Sequence, residues 1–514
     1  MDQRAIRDLG IPVDRDEWGY FMMRKNLVRY AAILVFFGAG IISVIEIGAS
    51  LHSDHALSEE VNQSASPASN TLPEKAGVSA SVGIGRELRN NLRHPVSVLL
   101  LQVIVVLTAA RIVGALLRKA GQPAVIGEMI AGILLGPSLL GWLSHPTMTL
   151  LFPPHSIDYL RLISQIGVII FMFVVGTEAN VQHIYRKAHA AILVSHASIL
   201  APFFLGAALA FIIFRSAAPA QISFTAFALF ISVAMSITAF PVLARIIEER
   251  GLYQSYLGNT AIACAAVDDV TAWCLLAIVI AIVKASGFGS AILTIFLTLL
   301  FVGLMLFVLK RQANRIIIAY LEAETQRRGL IAVILIFGLA SALLTEVIGI
   351  HALFGAFLAG VIMPSNAGLR KVLTEPLETF TSSFLLPLFF AFTGLRTQIG
   401  LLNTWSDWLM CAGVIAVAIV GKFGGSALAA RWTGMNWYDS LSLGALMNTR
   451  GLVELIVLNI GYDLGVLSQR IFSMMVIMAL ITTFMTAPLL SLLEFLRRRG
   501  VSLQAEIPDP TGVN

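Results

Sequence analysis

Charge is what this sequence has least of. Asp, Glu, Lys and Arg make up 13% of its 514 residues, while 57% are hydrophobic. A soluble chain of this length, folded as several domains, would need far more charge on its surface, so that class is excluded. Cysteine is nearly absent as well: only Cys264, Cys274 and Cys411 occur, each inside an apolar run. That excludes a disulfide framework and a Cys-x-x-Cys metal site, and leaves three small residues to pack between helices. A basic face for nucleic acid is also missing, because the net charge of +5 comes from Lys and Arg gathered in short loops. No nucleotide loop, metalloenzyme cluster or nucleophile triad stands out, and Gly83-Ile-Gly85 is a lone glycine pair. Neither an enzyme nor a resident cofactor is expected.

What is present is apolar length, with a mean hydropathy of +0.83. A membrane-spanning helix needs about 20 mostly apolar residues. The first candidate runs from about Leu27 to Leu51, behind Arg24, Lys25 and Arg29. Its length, its Glu46 and the lack of a clean small-residue cleavage site favour an uncleaved helix over a signal peptide. The Ser/Ala/Asn-rich stretch that follows reads as a loosely ordered loop. Spans are then predicted near 96–117, 123–143, 158–178, 190–214, 223–245, 258–283 and 288–309. The second half adds 329–347, 350–364, 381–397, 404–428, 437–461 and 468–496. The expected fold is an all-α polytopic membrane protein of about 13 core helices plus one amino-terminal helix. Its segments are 1–52 (cytoplasmic segment and extra helix), 53–95 (external loop), 96–496 (transmembrane domain) and 497–514 (short cytoplasmic tail).

The loops give an independent check. Alternate loops carry Arg118 and Lys119, Arg186 and Lys187, Arg245 and Arg250, then Lys310 to Arg328, Arg370 and Lys371, Arg431, and Arg497 to Arg499. The intervening ones hold little beyond Arg215, Lys284, Arg396 and Arg470. Positive charge stays cytoplasmic, so both termini are predicted inside, most simply at a bacterial inner membrane. The two halves also echo one another. Gly127 to Pro137 resembles Phe354 to Pro364, Phe173 to Glu178 is matched by Ala391 to Arg396, and Ser236 to Pro241 by Met447 to Gly451. Matched spans lie an odd number apart, so the repeats are inverted, an arrangement whose site lies near the midplane.

Chemistry concentrates there. Asp268 and Asp269 fall in the middle of a long apolar run, where a charge is costly and is retained mainly for function. Neighbours on a helix point about 100° apart, so one acid can meet a protein partner while the other lines a cavity. Lys422, in Val420-Gly-Lys-Phe-Gly-Gly425, is the candidate partner, unless it snorkels to the interface instead. Two spans look discontinuous. Ser236, Thr238 and Pro241 interrupt one, because proline frees a carbonyl mid-span. Asn448, Thr449, Arg450 and Gly451 interrupt the other, with Glu454 one turn on. Freed carbonyls and hydroxyls suit a dehydrated Na⁺ or K⁺; the plainer alternative is a proline kink and a simple Arg450–Glu454 pair. Glu128, Glu178 and Glu346 lie nearer span ends and read as interfacial or structural, and His351 as a capping or packing residue.

At these residues the chain resembles the monovalent cation:proton antiporter family. The nearest likeness is to the branch of plant cation/proton exchangers, Kef-type relatives and bacterial sodium/proton antiporters. The matching stretches are Gln122 to Glu128 with Leu135-Gly-Pro137, Ser236 to Arg245, Asp268-Asp269, Gly349 to Gly355, Leu386 to Arg396 and Met447 to Glu454. The resemblance implies that the second acid, Asp269, binds the ion and that Asp268 pairs with Lys422. It further implies broken helices that cross near Thr238 and Thr449, electrogenic exchange, and a homodimer whose core moves against a dimerisation scaffold. The expected function is secondary antiport of Na⁺ or K⁺ against protons, Asp269 holding one or the other. A cation channel without proton coupling is the alternative. An intramembrane aspartyl protease is disfavoured, since adjacent acids on one helix cannot converge as a dyad must.

Overall fold

Pro95 opens the first described helix at a position where its missing N–H costs nothing. A computed structural model of the chain describes residues 94–178, 188–252, 255–284, 288–322, 327–364 and 369–499, with the isolated positions Gly40, Ser43 and Glu46. The segments 1–52, 53–95 and 497–514 therefore lie almost wholly outside the described residues.

Regular structure among the described residues is helical throughout. The main helices are α1 (Pro95–Lys119), α2 (Ala124–Leu135), α3 (Pro154–Glu178), α4 (Ala188–Ala217), α5 (Phe224–Ser236) and α6 (Phe240–Glu249). They continue as α7 (Tyr256–Lys284), α8 (Phe288–Gly303), α9 (Arg327–Ile348), α10 (Ala352–Val361) and α11 (Leu386–Arg396). The last four are α12 (Trp405–Ile419), α13 (Trp437–Met447), α14 (Leu452–Asp463) and α15 (Gln469–Arg498). Side-chain caps fix several starts: Ser223 takes the Ala226 N–H, Asn436 that of Asp439, and Thr404 with Asp407 forms a reciprocal capping box.

Among the described residues ten helices are long and apolar enough to cross a membrane, or eleven if α13 and α14, bent by 41°, form one broken span. The figure of about 13 from the sequence also took short and broken segments as spans, such as α5 with α6 and the 10-residue α10. The chain is thus an integral, multi-pass membrane protein. Its apolar exterior follows from the medium: Leu299, Leu300 and Phe307 lie on the exposed flank of α8 and its continuation, and suit hydrocarbon.

The helices sort into two bundles. In one, α1 packs on α2, α2 on α11, α3 on α10 and α11, and α9 on α10. Glycine lets these backbones touch: a Cβ on Gly360 would lie 2.1 Å from the Phe173 carbonyl oxygen, and one on Gly132 2.0 Å from that of Ala391. The other bundle gathers α4, α5, α7, α12, α13 and α15, with α14 lodged against α15 and α5. All the acids and cations at mid-membrane depth singled out above belong to this second bundle.

Candidate functional site

Both predicted interruptions are real breaks. α5 stops at Ser236, residues 237–239 are not helical, with Ile237 extended, and α6 starts at Phe240. Pro241 is therefore not a kink inside a helix. It occupies the first turn of the second half, where a missing N–H is tolerated, and the break precedes it. In the partner span α13 ends at Met447 and α14 begins at Leu452. The two gaps meet: the Ala239 N–H donates to the Thr449 carbonyl at 3.0 Å, and the Thr238 hydroxyl to the Met447 carbonyl at 3.2 Å. Thr483 of α15 braces the crossing by bonding both the N–H and the carbonyl of Arg450.

Breaking a helix leaves carbonyls without partners and a partial negative charge at its end. At the end of α5, Arg450 takes the carbonyls of Ala234 and Met235 at 2.8 and 2.6 Å, and Lys422 takes that of Ser236 at 2.5 Å. Glu454, in the first turn of α14, accepts from Arg450 at 3.0 Å. The pair is fully buried, so it belongs to the crossing and is more than a surface i,i+4 contact. At the start of α6 the Phe240 N–H faces the Asp269 carboxylate.

Lys422 does not snorkel. A π-helical turn at Val420–Gly424 interrupts α12, and Gly421 there approaches Pro202 of α4 so closely that a Cβ would lie 2.7 Å from its Cα. Lys422 is thereby carried inward, and its ammonium meets Asp268 at 2.9 Å with both side chains fully buried. Its remaining N–H groups go to the Ser198 and Ser236 carbonyls at 3.0 and 2.5 Å. Asp268 in turn accepts from the hydroxyls of Ser195 at 2.5 Å, Ser198 at 2.7 Å and Thr238 at 2.7 Å. Such a saturated set is what permits two charges to stay in a low-dielectric interior.

Asp269 differs. It is 5% exposed, and its Oδ1 is buried with no hydrogen-bond partner. The 100° step between neighbours thus gives Asp268 a full complement of donors and leaves Asp269 with an oxygen to spare. The Thr449 hydroxyl and the Asn448 Oδ1 are likewise buried without partners. Such an arrangement can take up a proton or a small cation on one carboxylate while its neighbour stays occupied. No group of three or more His, Cys, Asp or Glu suited to a resident metal ion occurs among the described residues.

Some candidates sit otherwise than expected. The Ser236 hydroxyl, expected as a cation ligand, donates to the Ile199 and Ser232 carbonyls, and it is its main-chain carbonyl that serves the site. Glu128, expected to be interfacial or structural, is buried in α2, in keeping with the second. Glu346 is exposed enough to be interfacial and caps the Ala352 N–H at 2.9 Å, while His351 caps that of Leu353. The side chain of Glu178 lies outside the described residues. Ser195 and Ser198 were not anticipated; their signal was two hydroxyls at i,i+3 in an apolar helix.

The family model described as "Sodium/hydrogen exchanger, transmembrane" matches residues 96–492. The chain belongs to that family. This sodium/hydrogen exchanger family is one of transporters, and its named relatives are consistent with one another. Na(+)/H(+) antiporter NhaS4 of Synechocystis is 46% identical over 392 residues, which cover 76% of this chain and 96% of NhaS4. Cation/H(+) antiporter 17 of Arabidopsis thaliana is 42% identical, over 78% of this chain but 49% of its own length. K(+)/H(+) antiporter 1 of Saccharomyces cerevisiae is 34% identical over 78% of this chain and 47% of its own. The chain thus spans about half the length of the plant and yeast relatives. Among solved structures, the sodium proton antiporter MjNhaP1 of Methanocaldococcus jannaschii shares the fold at a TM-score of 0.57 and 13% identity, over 77% of this chain and 96% of its own.

Proposed function

We propose that this exchanger is a secondary antiporter that exchanges a monovalent cation, Na⁺ or K⁺, for protons by alternating access, with Asp269 as the group for which the two compete. The observation that carries the reading is the buried, unpartnered Oδ1 of Asp269 beside a neighbour whose two carboxylate oxygens both accept hydrogen bonds, four in all. A carboxylate that holds either a proton or a cation enforces exchange, because both cannot be carried at once. Thr238, Asn448 and Thr449, at the crossing, supply the nearby oxygens, and Arg450 with Glu454 balances the broken ends. A channel without proton coupling finds no support in relatives that are all named as antiporters.

Electrogenic exchange needs more than one proton per cation, and the adjacent Asp268–Lys422 pair is the group assigned to the second. Both termini are placed in the cytoplasm of a bacterial inner membrane, on the bias of the basic loops. The assembly is assigned as a homodimer joined through the bundle that lacks the acids. The test is cation-induced proton movement in proteoliposomes given Na⁺, K⁺ or Li⁺. Wild type is expected to exchange, and Asp269→Asn, folded by thermal melting, to lose exchange. A folded Asp269→Asn variant that exchanges normally rejects the role of Asp269, and cation flux without protons rejects antiport.

A further inference from the structure

Each bundle is held internally by glycine-mediated backbone contact, and the close approaches at Gly127, Gly132, Gly176, Gly206, Gly360 and Gly421 all join helices of the same bundle. Between the bundles, Trp273 of α7 stacks on Phe357 of α10, and a polar joint links α11 to α14. The Arg396 guanidinium, at the last residue of α11, donates to the Asn459 Oδ1 at 2.8 Å and to the Asp463 carboxylate, both on α14. Asn459 completes the joint by donating to the Thr393 hydroxyl of α11 at 2.8 Å. The same guanidinium lies 4.4 Å from the Tyr462 ring centroid, and Gln469 at the start of α15 donates to the Arg396 carbonyl.

The electrostatics of this joint are one-sided. Two helix C-termini, those of α11 and α14, converge with the Asp463 carboxylate on a single cation. Take the guanidinium away and three sources of negative potential face one another across the boundary. Beside the joint, a cavity of about 260 Å³ opens between the bundles, with Glu346, His351 and Phe389 on one wall and Ile456, Asn459 and Asp463 on the other. The ligands of Arg396 are therefore also part of the cavity wall.

What makes the joint more than a packing contact is the rod it grips. α14 has 12 residues, so it is roughly 18 Å long. Arg450 and the crossing lie at one end, and Asn459 and Asp463 at the other. Alternating access requires one bundle to move against the other about the site. Any such movement must carry α14 past α11, and Arg396 holds the two together.

We propose that Arg396 is a positioning residue of the exchange cycle: with Asn459 and Asp463 it clamps the outer end of α14 to α11, and this clamp opens each time the bundles shift. The inference rests on the antiport reading above, and it assigns a role 63 to 67 residues away in sequence from the groups it joins. In the closed form the clamp holds the crossing in the conformation described here. In the open form the cavity between the bundles widens.

The experiment uses the full-length chain in proteoliposomes with Cys274, the exposed native cysteine, changed by Cys274→Ser. Arg396→Cys and Asp463→Cys are joined by a reductant-cleavable crosslinker about as long as the arginine side chain. Linking is expected to stop exchange and reduction to restore it; exchange at the unlinked rate in the linked protein overturns the clamp. A second measurement does not depend on transport. Phe389→Cys is labelled with a membrane-impermeant maleimide, and the rate is compared in R396Q, in D463N and in the double variant. R396Q and D463N are each expected to speed labelling, and the double variant to add little beyond the faster single variant, because all three lose the same tie. Equal labelling in all backgrounds overturns the clamp even if the antiport reading holds. Absence of exchange in the wild type overturns the antiport reading and leaves the labelling result to judge the clamp alone.

Discussion

Lys422 and Arg450 close the same helix end. They come from different spans, yet one takes the Ser236 carbonyl and the other those of Ala234 and Met235, the last three residues of α5. Each cation also holds a fully buried acid, Asp268 and Glu454 respectively. The break in α5 is thus covered by two ion pairs that share a helix dipole, which ties the integrity of the crossing to both.

Lys422→Met tests this directly. Removing one partner of a buried pair leaves an uncompensated charge, at a cost of about 3–5 kcal/mol. The variant is expected to melt well below wild type in detergent and to lose exchange. An unchanged melting temperature would mean that Asp268 finds compensation elsewhere.

Ser195→Ala and Ser198→Ala each remove a hydroxyl donor from Asp268. A hydrogen bond to a charged group contributes about 1.5–3 kcal/mol, so each variant is expected to lose that order of stability. The double variant should depart from the sum of the two, since both serve one carboxylate. Additive losses would indicate that the hydroxyls act independently of Asp268.

The proposed competition at Asp269 makes a prediction for the pH dependence of transport. As pH falls, protons occupy the shared site and the apparent KM for the cation rises, approaching about tenfold per pH unit, the mass-action limit for one site. The maximal rate at saturating cation should change far less. A KM independent of pH would separate the proton site from the cation site.

His351 gives a pH effect on stability that is distinct from transport. Burial is the main influence and pushes its imidazole below the usual histidine range; Glu346 and Asp463 oppose this and Lys284 adds to it. Its Nδ1 accepts the Leu353 N–H at 3.4 Å, which only the unprotonated nitrogen can do. Above the unfolded value near about 6.5 the contribution is fully present. Below it the unfolded chain binds the proton first, so stability falls as pH drops toward the folded value. His351→Gln removes the titration, and its melting temperature should fall less between neutral and acidic pH. Parallel curves for the two proteins would exclude His351 as the source.

Much of this site was legible because it breaks a rule of its surroundings. Asp268, Asp269, Lys422 and Arg450 are costly at membrane depth, and Thr238-Ala-Phe-Pro241 and Asn448-Thr-Arg-Gly451 cannot continue a helix comfortably. Ser195 and Ser198 broke no rule, since serine in a membrane helix is ordinary packing. Arg396 reads in the sequence as a loop charge for a related reason. Its position near a span end explained it sufficiently, and nothing in the chain points to Asn459 on another helix. At Ser236 the hydroxyl and the carbonyl have different partners, and only the residue type is visible in sequence.

The π turn at Val420–Gly424 has a consequence for lineage and engineering. Such a turn is an α-helix with one residue inserted, so every position beyond it is rotated by about 100° from where an uninterrupted helix would place it. The placement of Lys422 is therefore a matter of phase as much as of side chain. Deleting a single residue such as Phe423 should be more damaging than substituting it, because deletion turns the preceding segment away from α4 and α7. Relatives that lack the insertion would need their lysine one position displaced to reach the same acid, and an alignment without a gap there would pair the wrong residues.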